Sequence, residues 1–263
     1  MGDAQGKRPM KSIALIFSLL LTAMITASAA DADTRVFEMR TYYAAPGKLD
    51  DLHARFRNYT TRLFEKHGIT NIGYWTPIDN PDNKLIYVLA YPSRDAREKS
   101  WKEFQDDEEW KKAKADSEAN GKLVAKVESI FLTALPFSPE IKPATGATDR
   151  VFELRTYTTT KGNLPALHNR FRDHTIALFA KHGMTNVAYW QLMPDQPNAE
   201  NTLIYLLAHK SEGAAKESFE AFRADPDWVA AKKESEDKAG GSLTIPDGVV
   251  SVFLKPTPYS PTR

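Results

Sequence analysis

The chain has 263 residues, 42% hydrophobic and 26% charged, with 35 basic against 34 acidic side chains. That apolar content supports packed cores, and a net charge of +1 gives no basic field of the kind nucleic acid requires. There is no cysteine, which excludes disulfides, thiolate metal sites, cysteine nucleophiles and a cysteine-borne lipid anchor.

Residues 1–30 stand apart from the rest. Lys7, Arg8 and Lys11 make a basic start, residues 13–25 are largely apolar, and Ala27, Ser28, Ala29 and Ala30 offer small residues at a cleavage site. This is the pattern of a secretory signal peptide. The apolar run is short for a membrane span of about 20 residues. The reading predicts an exported protein, periplasmic or secreted, with no stable membrane anchor after processing. Removal of the segment loses three basic residues against Asp3 and leaves the mature chain near neutrality.

The remainder is one unit written twice. Residues 35–75 read RVFEMRTYYAAPGKLDDLHARFRNYTTRLFEKHGITNIGYW, and residues 150–190 repeat them without a gap at an offset of 115. A self-similarity of this length marks a duplicated domain. The expected organisation is a first domain over 31–139, a linker over 140–149 and a second domain over 150–263.

Within the first copy, residues 35–43 alternate as a strand, with Phe37, Met39 and Thr41 on one side and Glu38, Arg40 and Tyr42 on the other. Pro46-Gly47 ends it. A helix is expected over 48–67, with Leu49, Leu52, Phe56, Leu63 and Phe64 on one face and Gly68 as its stop. Strands follow over 71–78 and 85–91, joined by a loop at 79–83 of hairpin composition. A second helical stretch starts at the N-cap Ser93 and runs to 119, carrying Trp101, Phe104 and Trp110. A last strand spans 127–135. The second copy follows the same order with a three-residue longer hairpin.

The order β-α-β-β-α-β is ferredoxin-like, so the fold class is α+β. Helices on one face of a four-stranded sheet leave the other face to be buried. The expected solution is sheet against sheet within the chain, an α+β barrel-like pseudo-dimer. Each copy ends in a Pro-flanked tail carrying Phe137 or Tyr259, expected to dock on its own domain or on the other.

FEMRTY, PGKL, the RFR helix, the LFEKHG helix end and GYW, with their second-copy counterparts FELRTY, KGNL, RFR, LFAKHG and AYW, resemble the NIPSNAP family over the whole mature chain. The resemblance implies the dimeric α+β barrel fold. That superfamily includes haem-handling proteins, cofactor-independent oxygenases and isomerases, while NIPSNAP proteins of animals are described in protein interaction.

Three sets of side chains are candidates for chemistry. Arg40 and Tyr42, with Arg155 and Tyr157, share a strand face with Glu38 and Glu153; if that face lines the barrel, arginine could bind an anion and tyrosine could donate a proton. The competing reading is a self-satisfied Glu–Arg pair. His67 and His182 precede a glycine at a helix end, where the dipole alone explains a cation; a general base or a haem ligand is the functional alternative. Tyr74 and Trp75, with Tyr189 and Trp190, add aromatic surface to central strands, as core or as pocket wall, and within each pair the two must point to opposite faces. His53 and His168 read as packed histidines, and Arg55, Arg57, Arg170 and Arg172 as solvated or salt-bridged helix residues. No metal site and no resident cofactor are expected, haem being the alternative. The expected role is a binding module for a small molecule or a protein partner. The alternative is an oxygenase or isomerase that needs no cofactor. Self-association beyond the internal pairing is left open.

Overall fold

The computed structural model describes residues 1–2, 33–144 and 150–263. The expected signal segment and residues 145–149 of the expected linker lie outside the described residues. Residues Ala32–Arg263 form one compact unit.

The first copy comprises β1 (Val36–Ala44), α1 (Leu49–Arg55), α2 (Thr61–Lys66), β2 (Thr70–Pro77), β3 (Lys84–Tyr91), α3 (Arg94–Asp106), α4 (Glu108–Ser117) and β4 (Val124–Ala134). The second comprises β5 (Val151–Thr159), α5 (Leu164–Arg170), α6 (Ile176–Lys181), β6 (Thr185–Leu192), β7 (Thr202–His209), α7 (Glu212–Ala224), α8 (Pro226–Ala239) and β8 (Thr244–Pro256). The strands close into one antiparallel barrel in the order β1-β3-β2-β8-β5-β7-β6-β4.

β1 is central in its own half, with Arg40 opposite Tyr87 on β3 and Ser129 on β4. The halves join along two short seams, Trp75 opposite Pro256 and Ala134 opposite Trp190. The tails then cross over. The Tyr74 amide donates to Ser260 Oγ at 2.9 Å, and the Tyr189 amide donates to Ser138 Oγ at 3.0 Å. Tyr259 stacks on Phe56, and Phe137 packs on Tyr189. Each repeat is therefore finished by the tail of the other, which binds the two halves into one unit.

Alternation along the strands sorts the side chains into three cores. Phe37, Met39, Trp75 and Val88 meet Phe152, Trp190, Leu206 and Leu254 inside the barrel. Trp75 lies 5.6 Å from Phe152, and Trp190 lies 6.1 Å from Phe37, centroid to centroid. The opposite face of each sheet packs under its own helices, around Phe56, Phe64, Tyr87 and Phe104 in the first copy and Phe171, Phe179, Tyr205 and Phe222 in the second.

Both long helices differ from the sequence expectation. The helix expected over 48–67 is interrupted by a π-helical turn at Phe56–Thr60, and its counterpart by one at Phe171–Thr175. The Thr60 hydroxyl donates to the Arg55 carbonyl at 3.3 Å, and that of Thr175 to the Arg170 carbonyl at 3.1 Å. A hydroxyl that bonds the backbone locally competes with the helical ladder. The stretch expected as helical over 93–119 is broken at Asp107, which sits in extended backbone and caps α4 by accepting from the Glu109 amide at 2.8 Å. Asp225 does the same for α8, helped by Pro226 at the first helical position.

Candidate functional site: two aromatic clefts

The row Glu38–Arg40–Tyr42 does not line the barrel. It faces the helices, because the closed lumen takes the apolar row Phe37–Met39 and its partners. A buried carboxylate needs paired charge, and α3 supplies it. Glu38 is 0% exposed. It accepts from Arg97 Nε at 3.0 Å and Nη2 at 2.9 Å, from the Tyr91 hydroxyl at 3.0 Å, from Ser129 Oγ at 2.7 Å and from Arg40 Nη1. Burial pushes its pKa up, but the Arg97 hydrogen bonds and the Arg40 charge outweigh burial, and the value is lowered to about 2.

Arg40 carries this network to the larger opening. Its Nε donates to the Tyr87 hydroxyl at 3.0 Å, and its guanidinium carbon lies 4.4 Å from the Trp101 ring and 5.5 Å from that of Tyr42. Burial opposes its charge; the Tyr87, Tyr42 and Glu38 oxygens more than offset that, so its pKa is raised. Above it opens a cleft of about 550 Å³ between sheet and helices, walled by Trp101, Trp110 and Phe104 and rimmed by Lys111, Lys114, Lys122 and Glu118. Arg55, 5% exposed, lies along one side, paired with Glu118 at 2.9 Å and 5.3 Å from the Trp110 ring centroid.

The second copy repeats the cleft, again about 550 Å³, with Arg155 and Tyr157 at its foot, Phe219, Phe222 and Trp228 as walls and Arg223, Lys232, Lys233, Glu236 and Asp237 at the rim. Both volumes fall in the range of small-molecule sites. Glu153 is buried here too, bonded by Arg155, by Ser251 at 2.5 Å and by His209 at 3.0 Å. Burial raises its pKa, the His209 hydrogen bond and the Arg155 charge lower it, and the net shift is downward.

The sequence candidates thus fall in four places. Arg40 with Tyr42, and Arg155 with Tyr157, come together in the clefts. Tyr74 and Tyr189 lie buried behind them, stacked on Tyr87 and Tyr205 with their hydroxyls donating to Asn71 and Asn186. Trp75 and Trp190 point the other way, into the lumen, as strand alternation required. His67 and His182 line neither cleft. Each places Nε2 2.7 Å from a cap carboxylate, Asp107 or Asp225. Hydrogen bonds from Lys66 and then His67 hold the Asp107 carboxyl well below its usual range, as Lys181 and His182 do for Asp225. These histidines clamp the end of α2 to the start of α4 and the end of α6 to the start of α8. His53 bonds the Tyr259 hydroxyl through Nδ1 at 2.8 Å, and burial lowers its pKa. Among the described residues there is no cluster of three or more potential metal ligands.

Sequence reading missed Arg97, the wall residues Trp101 and Trp110, the rim lysines, and Arg55 as a buried group. One signal was available. Arg55 lies three residues after Leu52 and next to Phe56, and Arg170 likewise follows Leu167 and precedes Phe171, which puts an arginine on the apolar helix stripe in both copies.

An antiparallel α+β barrel made of two ferredoxin-like halves, with a cleft under the helices of each, defines the structural class, and three comparisons agree with it. The NIPSNAP family pattern matches residues 37–139 and again 152–261. A curated relative, the protein NipSnap homolog of Dictyostelium discoideum, is 28% identical over 133 residues, 50% of this chain and 52% of its own length. The chain thus spans about half the length of that relative. Among solved structures, a candidate monooxygenase from Lactobacillus acidophilus NCFM superimposes with a TM-score of 0.52 at 11% identity, covering 85% of this chain and 94% of its own. An anthrone oxidase-like protein superimposes at 0.54 with 13% identity, covering 87% and 93%. At these identities the likeness is one of fold. The chain belongs to the NIPSNAP family, with two tandem copies of its domain.

Proposed function

We propose that the protein is a small-molecule binding module whose two clefts each take a ligand with an apolar body and an anionic group. The observation that carries this is the placement of Arg40 and Arg155. Each is a guanidinium, 11% or 15% exposed, at the foot of an aromatic-walled opening. Arginine in such a position offers planar donors to a carboxylate, sulfonate or phosphate while the rings cover an apolar body. The rim lysines add charge at the mouth of the first cleft, where Lys114 and Lys122 have no ion-pair partner among the described residues.

The test is native mass spectrometry of the protein purified gently from cells, followed by binding of recovered ligand to the Arg40→Gln/Arg155→Gln double variant. A bound anionic mass that the double variant fails to hold supports the reading. Undiminished binding to that variant refutes it.

A catalytic reading, of the oxygenase or isomerase kind that needs no resident cofactor, would use the same clefts. It is favoured by the Tyr157 hydroxyl 3.4 Å from Arg155 Nη2, a proton donor beside an anion holder. Turnover abolished by Tyr42→Phe/Tyr157→Phe, with ligand affinity kept, would support it over binding alone. The basic and apolar segment at residues 1–30 supports export. A processed N-terminus near residue 30 or 31 in the exported fraction is the expected result.

A further inference from the structure

The two clefts share an arginine but not its charge balance. Three positions around the Glu–Arg pair differ between the copies: Tyr91, Arg97 and Trp101 in the first are His209, Ala215 and Phe219 in the second. In the first, two guanidinium groups meet one buried carboxylate, and Arg97 also reaches the exposed Glu98 at 3.1 Å. The Trp101 indole N–H donates to the Tyr91 hydroxyl at 2.7 Å, and that hydroxyl donates to Glu38 at 3.0 Å. Every member is fixed, and Glu38, Arg40 and Arg97 together keep one net positive charge across the physiological pH range, met on the solvent side by the exposed Glu98.

In the second, Ala215 removes a guanidinium and Phe219 removes the indole donor. His209 takes the tyrosine's place, with Nε2 3.0 Å from Glu153, which requires that nitrogen to carry a proton. With His209 neutral, Glu153 and Arg155 cancel. The second rim also sets two acids, Glu236 and Asp237, against its cations where the first has Glu118 alone. The groups facing His209 are Glu153 on β5, itself bonded by Arg155 of the same strand and Ser251 of β8, and the rings of Phe219 on α7 and Phe253 on β8 at 6.1 and 6.3 Å. Its Nδ1 is buried without a partner among the described residues. Arg155 Nε and the Tyr205 hydroxyl are likewise unpartnered, although their counterparts in the first copy bond each other at 3.0 Å. The second network therefore has slack that the first lacks.

We propose that the second cleft is a proton-dependent anion site: it holds an apolar anion when His209 is protonated and releases it when His209 is neutral, whereas the first cleft holds the same class of ligand in both conditions. This rests on reading the clefts as anion sites. A proton taken from solvent on Nδ1 makes His209 a second cation on Glu153, the role Arg97 plays in the first copy. Arg155 is then left with uncompensated charge facing the opening. Histidine is the side chain suited to such a change near neutral pH.

The probe is 8-anilinonaphthalene-1-sulfonate, an aromatic sulfonate that stays ionised throughout, titrated calorimetrically into the full chain at about pH 5.5 and about pH 8. The expected result is two sites at the lower pH and one at the higher, with affinity at the second falling by about tenfold or more, the equivalent of one pKa step. Arg40→Gln should remove the site that persists at high pH. His209→Gln keeps a donor for Glu153 but cannot gain charge, so it should show one site at both values. Ala215→Arg restores a second guanidinium and should show two sites at both, which covers the case of a poorly folded His209→Gln. Two sites of unchanged affinity in the unaltered chain, or pH dependence that survives His209→Gln, would overturn the proposal and leave the anion-site reading standing. No binding at either pH would overturn both.

Discussion

Glu38 and Glu153 occupy the same place in their two sheets, yet they are held differently. Four side chains bond Glu38, two of them arginines. Three bond Glu153, and one of those is a histidine. The backbone pairing around them matches, with Arg40 opposite Tyr87 and Arg155 opposite Tyr205. A duplicated fold can thus keep its frame while side chains from a neighbouring helix retune the charge of each site. What the copies share defines the fold and the common arginine of the clefts; where they differ sets the charge around it.

That comparison can be broken by mutation. Glu38→Gln leaves Arg40 without its counter-charge and Arg97 with only the exposed Glu98, and removing one partner of a buried pair costs about 3–5 kcal/mol. Glu153→Gln strands only one and should cost measurably less. Urea midpoints of the two variants check this, and equal losses would show that Arg97 contributes nothing to the difference.

Acid sharpens the same contrast. The Glu38 carboxyl is depressed from 4.5 to about 2 in the folded chain, so it binds its proton more weakly folded than unfolded. Its contribution is in full force above pH 4.5 and is lost as pH falls from there through 2. The lost stability is of the order of 3 kcal/mol, from about 1.4 kcal/mol per pKa step. Urea midpoints followed from neutral to acid pH should fall across that window, and Glu38→Gln should flatten the fall.

How much of this was legible beforehand follows the physics of each signal. The duplication, the element order, the opposed rows of β1 and the closed pairing of sheets all lie in local pattern. Which row of β1 meets the lumen does not. Alternation places Phe37 and Arg40 on opposite faces but leaves open which face the second repeat covers, and that depends on Arg97, an α3 residue 59 positions from Glu38. The breaks at Phe56–Thr60 and Asp107 were missed for a related reason. Threonine and aspartate suit a helix face or a cap about equally until a carbonyl or an amide is in reach. Trp110 and the lysines of α4 gave no sign of a site because their cleft exists only once α4 stands against α1.

A smaller effect separates scaffold from site. Asp107→Ala removes the cap of α4 and the anchor of His67, and loss of such a cap costs about 1 kcal/mol. Asp225→Ala should cost about the same, since that corner is alike in both copies. Ligand affinity should be unchanged in both variants by calorimetry. A large drop would bring the His–Asp pair into the site.

The most direct test of the clefts themselves is a crystal soaked with 4-bromobenzoate and measured at the bromine absorption edge. The account predicts anomalous peaks between Trp101 and Trp110 in the first cleft and beside Trp228 in the second, each with a carboxylate turned toward Arg40 or Arg155. Bromine confined to the barrel lumen or to scattered surface positions, with both clefts empty, would contradict it.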